Sequence, residues 1–161
     1  MNLPSDKGVY VLIIDVKSQV SFSAGSLGAI SLRKGLYTYV GSAKGPGGLR
    51  GRVLRHLRSD KKLRWHIDYL LAQPSVKVVK VLYAVTEEVR ECDLVGELVR
   101  RGARAPVKGF GSSDCKRGCL AHLLILNEEN DVAESFETLG LGYHIYEVKN
   151  TLGKRVREER K

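Results

Sequence analysis

Residues 35–58, GLYTYVGSAKGPGGLRGRVLRHLR, bring two tyrosines, a glycine-rich turn, four arginines and a histidine into one short stretch. Phenol hydroxyls and guanidinium groups in that density are unsuited to a hydrophobic core and suited to a phosphate-bearing substrate. The turn itself is not a nucleotide-binding loop. GSAKGPGG lacks the Gly-Lys-Ser/Thr ending of a P-loop, and GPGGLR lacks the third glycine of a dinucleotide fingerprint. What remains is a flexible turn entering a helix N-terminus, where free backbone N–H groups can meet a phosphate.

In the helix expected over 49–58, Leu49, Val53 and Leu57 recur at i, i+4 and i+8 and set the buried face. At 100° per residue Arg52 and His56 fall side by side at the edge of that face, where two cations call for a nearby anion. Arg55 and Arg58 point roughly the other way. In a further helix expected over 87–101, Leu94, Val95, Leu98 and Val99 form the apolar face. Glu91 lies three and four residues before them and so points inward, whereas Glu97 falls among Asp93, Arg100 and Arg101 on the polar face. An inward carboxylate needs a cation, a donor or a metal. A buried ion pair with Arg52 satisfies that need as well as a metal does.

Cys115-x3-Cys119-x2-His122 can be read as a zinc site, but structural zinc takes four protein ligands and usually tighter cysteine spacing. Reduced thiols and a packed histidine are the simpler expectation. His66 is read as a packed histidine bonded to backbone. The chain has three cysteines, an odd number without framework spacing, which argues against a disulfide scaffold.

These residues need elements to hold them. GVYVLIIDV (8–16) reads as a buried strand, 19–33 as a hairpin, and 37–41 as the strand that enters the glycine turn. Residues 63–72 read as a helix and 76–85 as a strand. Thr86 is a suitable N-cap for the 87–101 helix, and Gly102 its stop. Residues 103–118 form a long loop, CLAHLLIL (119–126) a central strand, 131–139 a short helix ended by Gly140, and 143–148 a last strand. The fold class is α+β, a small, mainly antiparallel sheet flanked by helices. The 161 residues make one domain over 1–150, followed by a basic, flexible tail over 151–161.

The net charge is +9, and it is unevenly distributed. Residues 44–64 carry +7 and residues 149–161 a further +4. Concentration on one segment and one tail is the footprint of a polyanion partner, usually nucleic acid. Lys44, Arg50, Arg55, Arg58, Lys61 and Lys62 are the expected phosphate contacts. A membrane surface fits less well, because the 49–58 helix has only a narrow apolar stripe. No apolar run spans a bilayer and the first residues do not read as a signal peptide, so a cytoplasmic location is expected.

Gly8-Val9-Tyr10 on one strand and Tyr39-Val40-Gly41 on the next, with an arginine and a histidine on the following helix and a later helical glutamate, resemble the GIY-YIG nuclease core. GVYVL, YVGSAKGPGGLRGRVLRHLR, WHIDYLL, EC and GFGSSDC are similar to a prokaryotic branch of that superfamily, in which the domain occurs alone or fused to a DNA glycosylase of the endonuclease III kind. The resemblance covers roughly residues 7 to 126. It departs between Val11 and Thr38, a segment much longer than the usual dozen residues between the tyrosine motifs, where an extra hairpin is expected.

The resemblance implies a metal-dependent endonuclease acting on DNA in repair or processing. It implies that Tyr10 and Tyr39 lie near the scissile phosphate, with Tyr10 positioning or deprotonating water through a lowered phenol pKa. It further implies that Arg52 stabilises developing charge, that His56 carries a proton or binds phosphate, and that Glu91 holds one divalent ion, Mg2+ or Mn2+ rather than zinc. A DNA glycosylase is an implied partner. The GFGSSDC loop, with Ser113, Asp114 and Cys115, is expected beside the active site. The alternative is a nucleic-acid-binding module that keeps the fold without turnover.

Overall fold

The computed structural model describes residues 3–111 and 121–148. The Ser113, Asp114 and Cys115 loop and the basic tail lie outside the described residues. β1 (Gly8–Val16), β4 (Gly35–Ala43), β5 (Val76–Val85), β6 (Leu123–Ile125) and β7 (His144–Glu147) form a sheet in the order β6-β4-β1-β5-β7. Every ladder in it is antiparallel. The expected extra hairpin is present as β2 (Val20–Ser23) and β3 (Ala29–Leu32), paired separately. The helices are α1 (Gly48–Leu57), α2 (His66–Leu71), α3 (Glu91–Arg100) and α4 (Asn130–Thr138).

β1 is central because its sequence is apolar on both faces, and eight of its nine residues are buried. Alternation along the strand splits the core in two. Tyr10, Leu12 and Ile14 join Leu49 and Val53 of α1, Ile67 and Leu70 of α2, and the hairpin residues Ile30 and Leu32. Val9, Val11 and Ile13 face Leu94, Val95 and Leu98 of α3 and Val132 and Phe136 of α4. Each such aliphatic side chain contributes about 1.5–3 kcal/mol on leaving water. The register sets Tyr10 opposite Gly41 and Leu12 opposite Tyr39, so both tyrosines stand on the α1/α2 face.

Four expectations are corrected. CLAHLLIL supplies an edge strand, not a central one: β6 pairs only β4, with a single bridge from Arg104 to Ile125 outside it. Leu123, Leu124 and Leu126 are buried because both faces are covered, and apolar content reports burial rather than position in the sheet. The helix expected over 63–72 begins at His66, because Asp68 accepts the Arg64 and Trp65 amides and turns the chain there. The helix expected over 87–101 begins at Glu91, since the Thr86 hydroxyl accepts the Glu88 amide in a turn of its own. On α3 Glu97 is buried, where it pairs with Arg100 and Arg101, while Val99 is 45% exposed. The α3–α4 packing tilts the buried stripe by about one position from the one read off the sequence.

Candidate active site

A cavity of about 330 Å³ is lined by Tyr10, Tyr39, Gly41, Ser42, Arg52, His56, Trp65, Glu91, Gly111 and His122. It collects all five residues to which the resemblance assigned chemistry. They come from β1, β4, α1 and α3, elements that touch only in the folded sheet.

Tyr10 and Tyr39 rise from adjacent strands. The Tyr10 ring crosses β4 over Gly41, and a Cβ at that position would come within 2.5 Å of the Tyr10 hydroxyl. Gly41 is therefore a steric requirement of the Tyr10 pose. The Tyr10 hydroxyl lies 2.7 Å from His56 Nε2 in a buried hydrogen bond. His56 Nδ1 is buried without a hydrogen-bond partner among the described residues. Burial, then the nearby Lys61, holds the His56 pKa down to about 3. Burial, then Tyr39, pushes the Tyr10 phenol far above its usual value, an effect that Arg52 opposes without reversing. Tyr39 is pushed up to about 12, again by burial. The expected lowering of the Tyr10 pKa is thus corrected: desolvation outweighs the adjacent cation, and the pair rests as neutral phenol and neutral imidazole.

Arg52 donates from Nη1 to the Ser42 carbonyl at 3.3 Å, and its guanidinium lies 4.8 Å from the centre of the Trp65 ring. Glu91 opens α3. Its Oε2 accepts the Ser42 hydroxyl at 2.6 Å, and its Oε1 is buried with no hydrogen-bond partner among the described residues. No ion pair joins Glu91 to Arg52 among the described residues, so the pairing open to the sequence is not the one formed. A buried carboxylate oxygen without a donor, facing a polar cavity, suits a divalent cation. Mg2+ in particular is commonly held by one or two carboxylates, with water and substrate phosphate completing its shell.

The basic segment divides into two groups. Lys44, Arg50, Arg58 and Lys62 are exposed, as phosphate contacts must be. Arg55 is committed elsewhere, with Nη1 and Nη2 at 2.9 and 3.0 Å from the two oxygens of buried Asp68, and its guanidinium 4.1 Å from the Trp65 ring. Burial alone would raise Asp68, but the Arg55 hydrogen bonds and the Trp65 and Arg64 amides outweigh it and lower its pKa. Lys61 donates to the His56 and Arg58 carbonyls at 2.7 and 2.8 Å, closing the C-terminus of α1, and burial brings its pKa down to about 8. Arg55 and Lys61 are framework groups because the loop after α1 folds back over them. The glycine turn is also occupied. The Leu49 and Arg50 amides donate to the Asp6 and Pro4 carbonyls, and a Cβ on Gly48 (φ +56°) would lie 2.0 Å from the Ser5 carbonyl. The glycines there admit the N-terminal segment, not a phosphate.

Cys92 is disulfide-bonded, which corrects the expectation of reduced thiols; the other cysteines, Cys115 and Cys119, lie outside the described residues. Spacing along the chain does not disclose which thiols the fold brings together. His66 behaves as expected, its Nδ1 accepting the Gly111 amide at 2.9 Å and so fixing that loop against the cavity. Ser42, Trp65 and Asp68 carry no assigned role in the sequence motifs, and His122, weighed there as a zinc ligand or a packed histidine, lines the cavity. Burial lowers the His122 pKa, while Glu91 acts in the opposite direction. The one tryptophan of the chain, directly after Arg64 and a few residues past the arginine-rich helix, is the available signal for Trp65.

A family model described as a domain of unknown function, DUF123, matches residues 9–143. The chain belongs to the DUF123 family. No curated protein and no solved structure matches it. The match of this DUF123 domain takes in the strands, helices and cavity residues except for the first residue of β1 and the last strand. Among the described residues no helix is long and apolar enough to cross a membrane.

Proposed function

We propose that this protein is a metal-dependent endonuclease of the GIY-YIG kind that hydrolyses phosphodiester bonds in nucleic acid, DNA foremost. The observation that carries the reading is the meeting of Tyr10, Tyr39, Arg52, His56 and Glu91 around one polar cavity, with the Tyr10–His56 hydrogen bond at its centre.

The cavity supplies each requirement of the reaction through its own residues. Neutral His56 can accept a proton, and the negative charge of an arriving phosphate raises its affinity for one. As the Tyr10 proton passes to His56 Nε2, Tyr10 takes a proton from an attacking water. The oxygen of that water bonds to phosphorus, and the ester P–O bond on the far side breaks with its electron pair on the leaving oxygen, which takes a proton from solvent. Tyr39 stays protonated across the physiological range and donates to a phosphate oxygen. Arg52, aimed by the Ser42 carbonyl and braced on Trp65, offers fixed positive charge to the transition state, with no reorganisation needed at the moment of reaction. Glu91 would hold the divalent ion, oriented by Ser42, and a bound ion supplies Lewis-acid stabilisation on the leaving side.

The test is incubation with labelled single-stranded, duplex, flapped and branched DNAs and RNAs in Mg2+, Mn2+ or EDTA. Expected is cleavage of at least one substrate that EDTA abolishes and that Tyr10→Phe lowers by about 10²–10⁴-fold. Binding without cleavage across the whole panel would replace the nuclease with a binding module.

A further inference from the structure

A second cavity, of about 460 Å³, lies between the β2–β3 hairpin and the start of the 104–111 loop. Arg33 and Arg104 line it, with Gln19, Ser31 and Tyr37. Arg55, Arg58, Arg90, Arg100 and Arg101 are ion-paired. Arg33 and Arg104 have no acidic partner within 4.0 Å among the described residues, and both are exposed.

Their positions are held by the sheet. The buried Tyr37 hydroxyl donates to the Arg33 carbonyl at 2.7 Å. Tyr37 pairs across β4 with Ile125, and Ile125 exchanges two backbone hydrogen bonds with Arg104, at 2.8 and 3.1 Å. Three adjacent positions across the sheet thus fix both guanidinium-bearing residues at one level of one edge. Two guanidiniums without an acidic partner, at the rim of one cavity, are a phosphate-binding arrangement.

The cavity is also in line with the first. Tyr37 stands two residues before Tyr39 on β4, on the same face, roughly 7 Å along the strand. The 104–111 loop starts at the second cavity with Arg104 and reaches the first at Gly111, with exposed Lys108 between them in the chain. Lining residues roughly 7 Å apart on one strand bring the two cavities within the reach of a few nucleotides of a single strand, at about 3.4 Å of rise each.

We propose that the cleft between the β2–β3 hairpin and residues 104–106 binds backbone phosphates of the nucleic-acid strand a few nucleotides from the bond held at Tyr10 and Arg52. It rests on the nucleic-acid reading above and adds a role for the inserted hairpin, which seats the substrate strand through Arg33.

The test is fluorescence anisotropy of the full chain with labelled single-stranded and duplex oligonucleotides in EDTA, from 50 to about 200 mM salt, beside cleavage in Mg2+. The Arg33→Ala/Arg104→Ala double variant keeps its melting temperature, because both side chains are exposed. Its log–log salt slope falls by about 1.8 for duplex or about 1.4 for single strands, irrespective of sequence. Arg33→Lys/Arg104→Lys retains most of the slope. Unchanged affinity and slope in the alanine variant, with the wild type binding, would overturn the subsite and leave the nuclease reading standing. Lost slope without cleavage in any metal would overturn the nuclease reading and uphold the subsite. A wild type that binds no oligonucleotide would overturn both. Stabilisation by a mononucleotide that the alanine variant loses, without oligonucleotide binding, would replace the strand by a free phosphate ligand.

Discussion

Replacing Glu91 by glutamine separates a metal ligand from a structural ion pair. In the protein Oε2 accepts the Ser42 hydroxyl at 2.6 Å, and Oε1 is buried without a hydrogen-bond partner among the described residues. The amide retains a hydrogen bond to Ser42 but loses its charge assistance, about 1 kcal/mol. It also removes a buried anionic oxygen that has no donor, a relief of about 1–3 kcal/mol. Without metal, the Glu91→Gln protein is therefore expected to melt within a few degrees of the wild type or above it. If Glu91 holds the ion, Mg2+ at about 100 times its Kd is expected to stabilise the wild type by about 2.7 kcal/mol, or about 5–11 °C for a chain of this length. The variant should show no such shift, and its cleavage should fall about 10²–10³-fold or more as several kcal/mol of charge stabilisation disappear. Thermal scans with and without Mg2+, beside a cleavage assay, read all three. A metal-free loss of about 3–5 kcal/mol would mean that an ion pair had been broken and would refute the reasoning. An equal Mg2+ shift in both proteins would place the ion elsewhere.

His56 makes stability pH-dependent. Its folded pKa, about 3, lies below the unfolded value of 6.5, so the unfolded chain binds the extra proton and stability declines as pH falls from about 6.5 towards 3. The decline amounts to about 5 kcal/mol in full. His122 adds in the same direction, and Asp68 adds only at lower pH, within the carboxylate range. Denaturant titrations at pH 7 and pH 5 should show the drop, and His56→Gln should remove most of it; an unaltered drop would refute the assignment. Gly41→Ala should cost about 1–3 kcal/mol and abolish cleavage by driving its Cβ into Tyr10. Gly45→Ala, with nothing within 4 Å of the added carbon, should change neither melting temperature nor cleavage.

The β-branched, apolar run GVYVLIIDV and the tyrosines of YTYV were enough to set strands, whose side chains then alternate between defined faces. The i, i+4 spacing of Leu49, Val53 and Leu57 likewise located Arg52 and His56 at the edge of α1. Those are local properties, because a strand or helix fixes direction within a few residues. The sequence by itself also determined the inserted hairpin and the helix stops at Gly102 and Gly140, where turn chemistry is written in the residues that form it. Only the tertiary structure decided which of several cations near Asp68 would claim it. That choice turned Arg55 from an expected phosphate contact into a brace for Trp65. It also decided that Glu91 would face Ser42 rather than Arg52, that Glu97 would be buried, and that Cys92 would be oxidised. The Tyr10 and His56 pKa values depend on it most fully. Neighbouring positive charge is legible in a sequence, whereas the desolvation that overrides it arises only when β1, β4 and α1 close around the two rings.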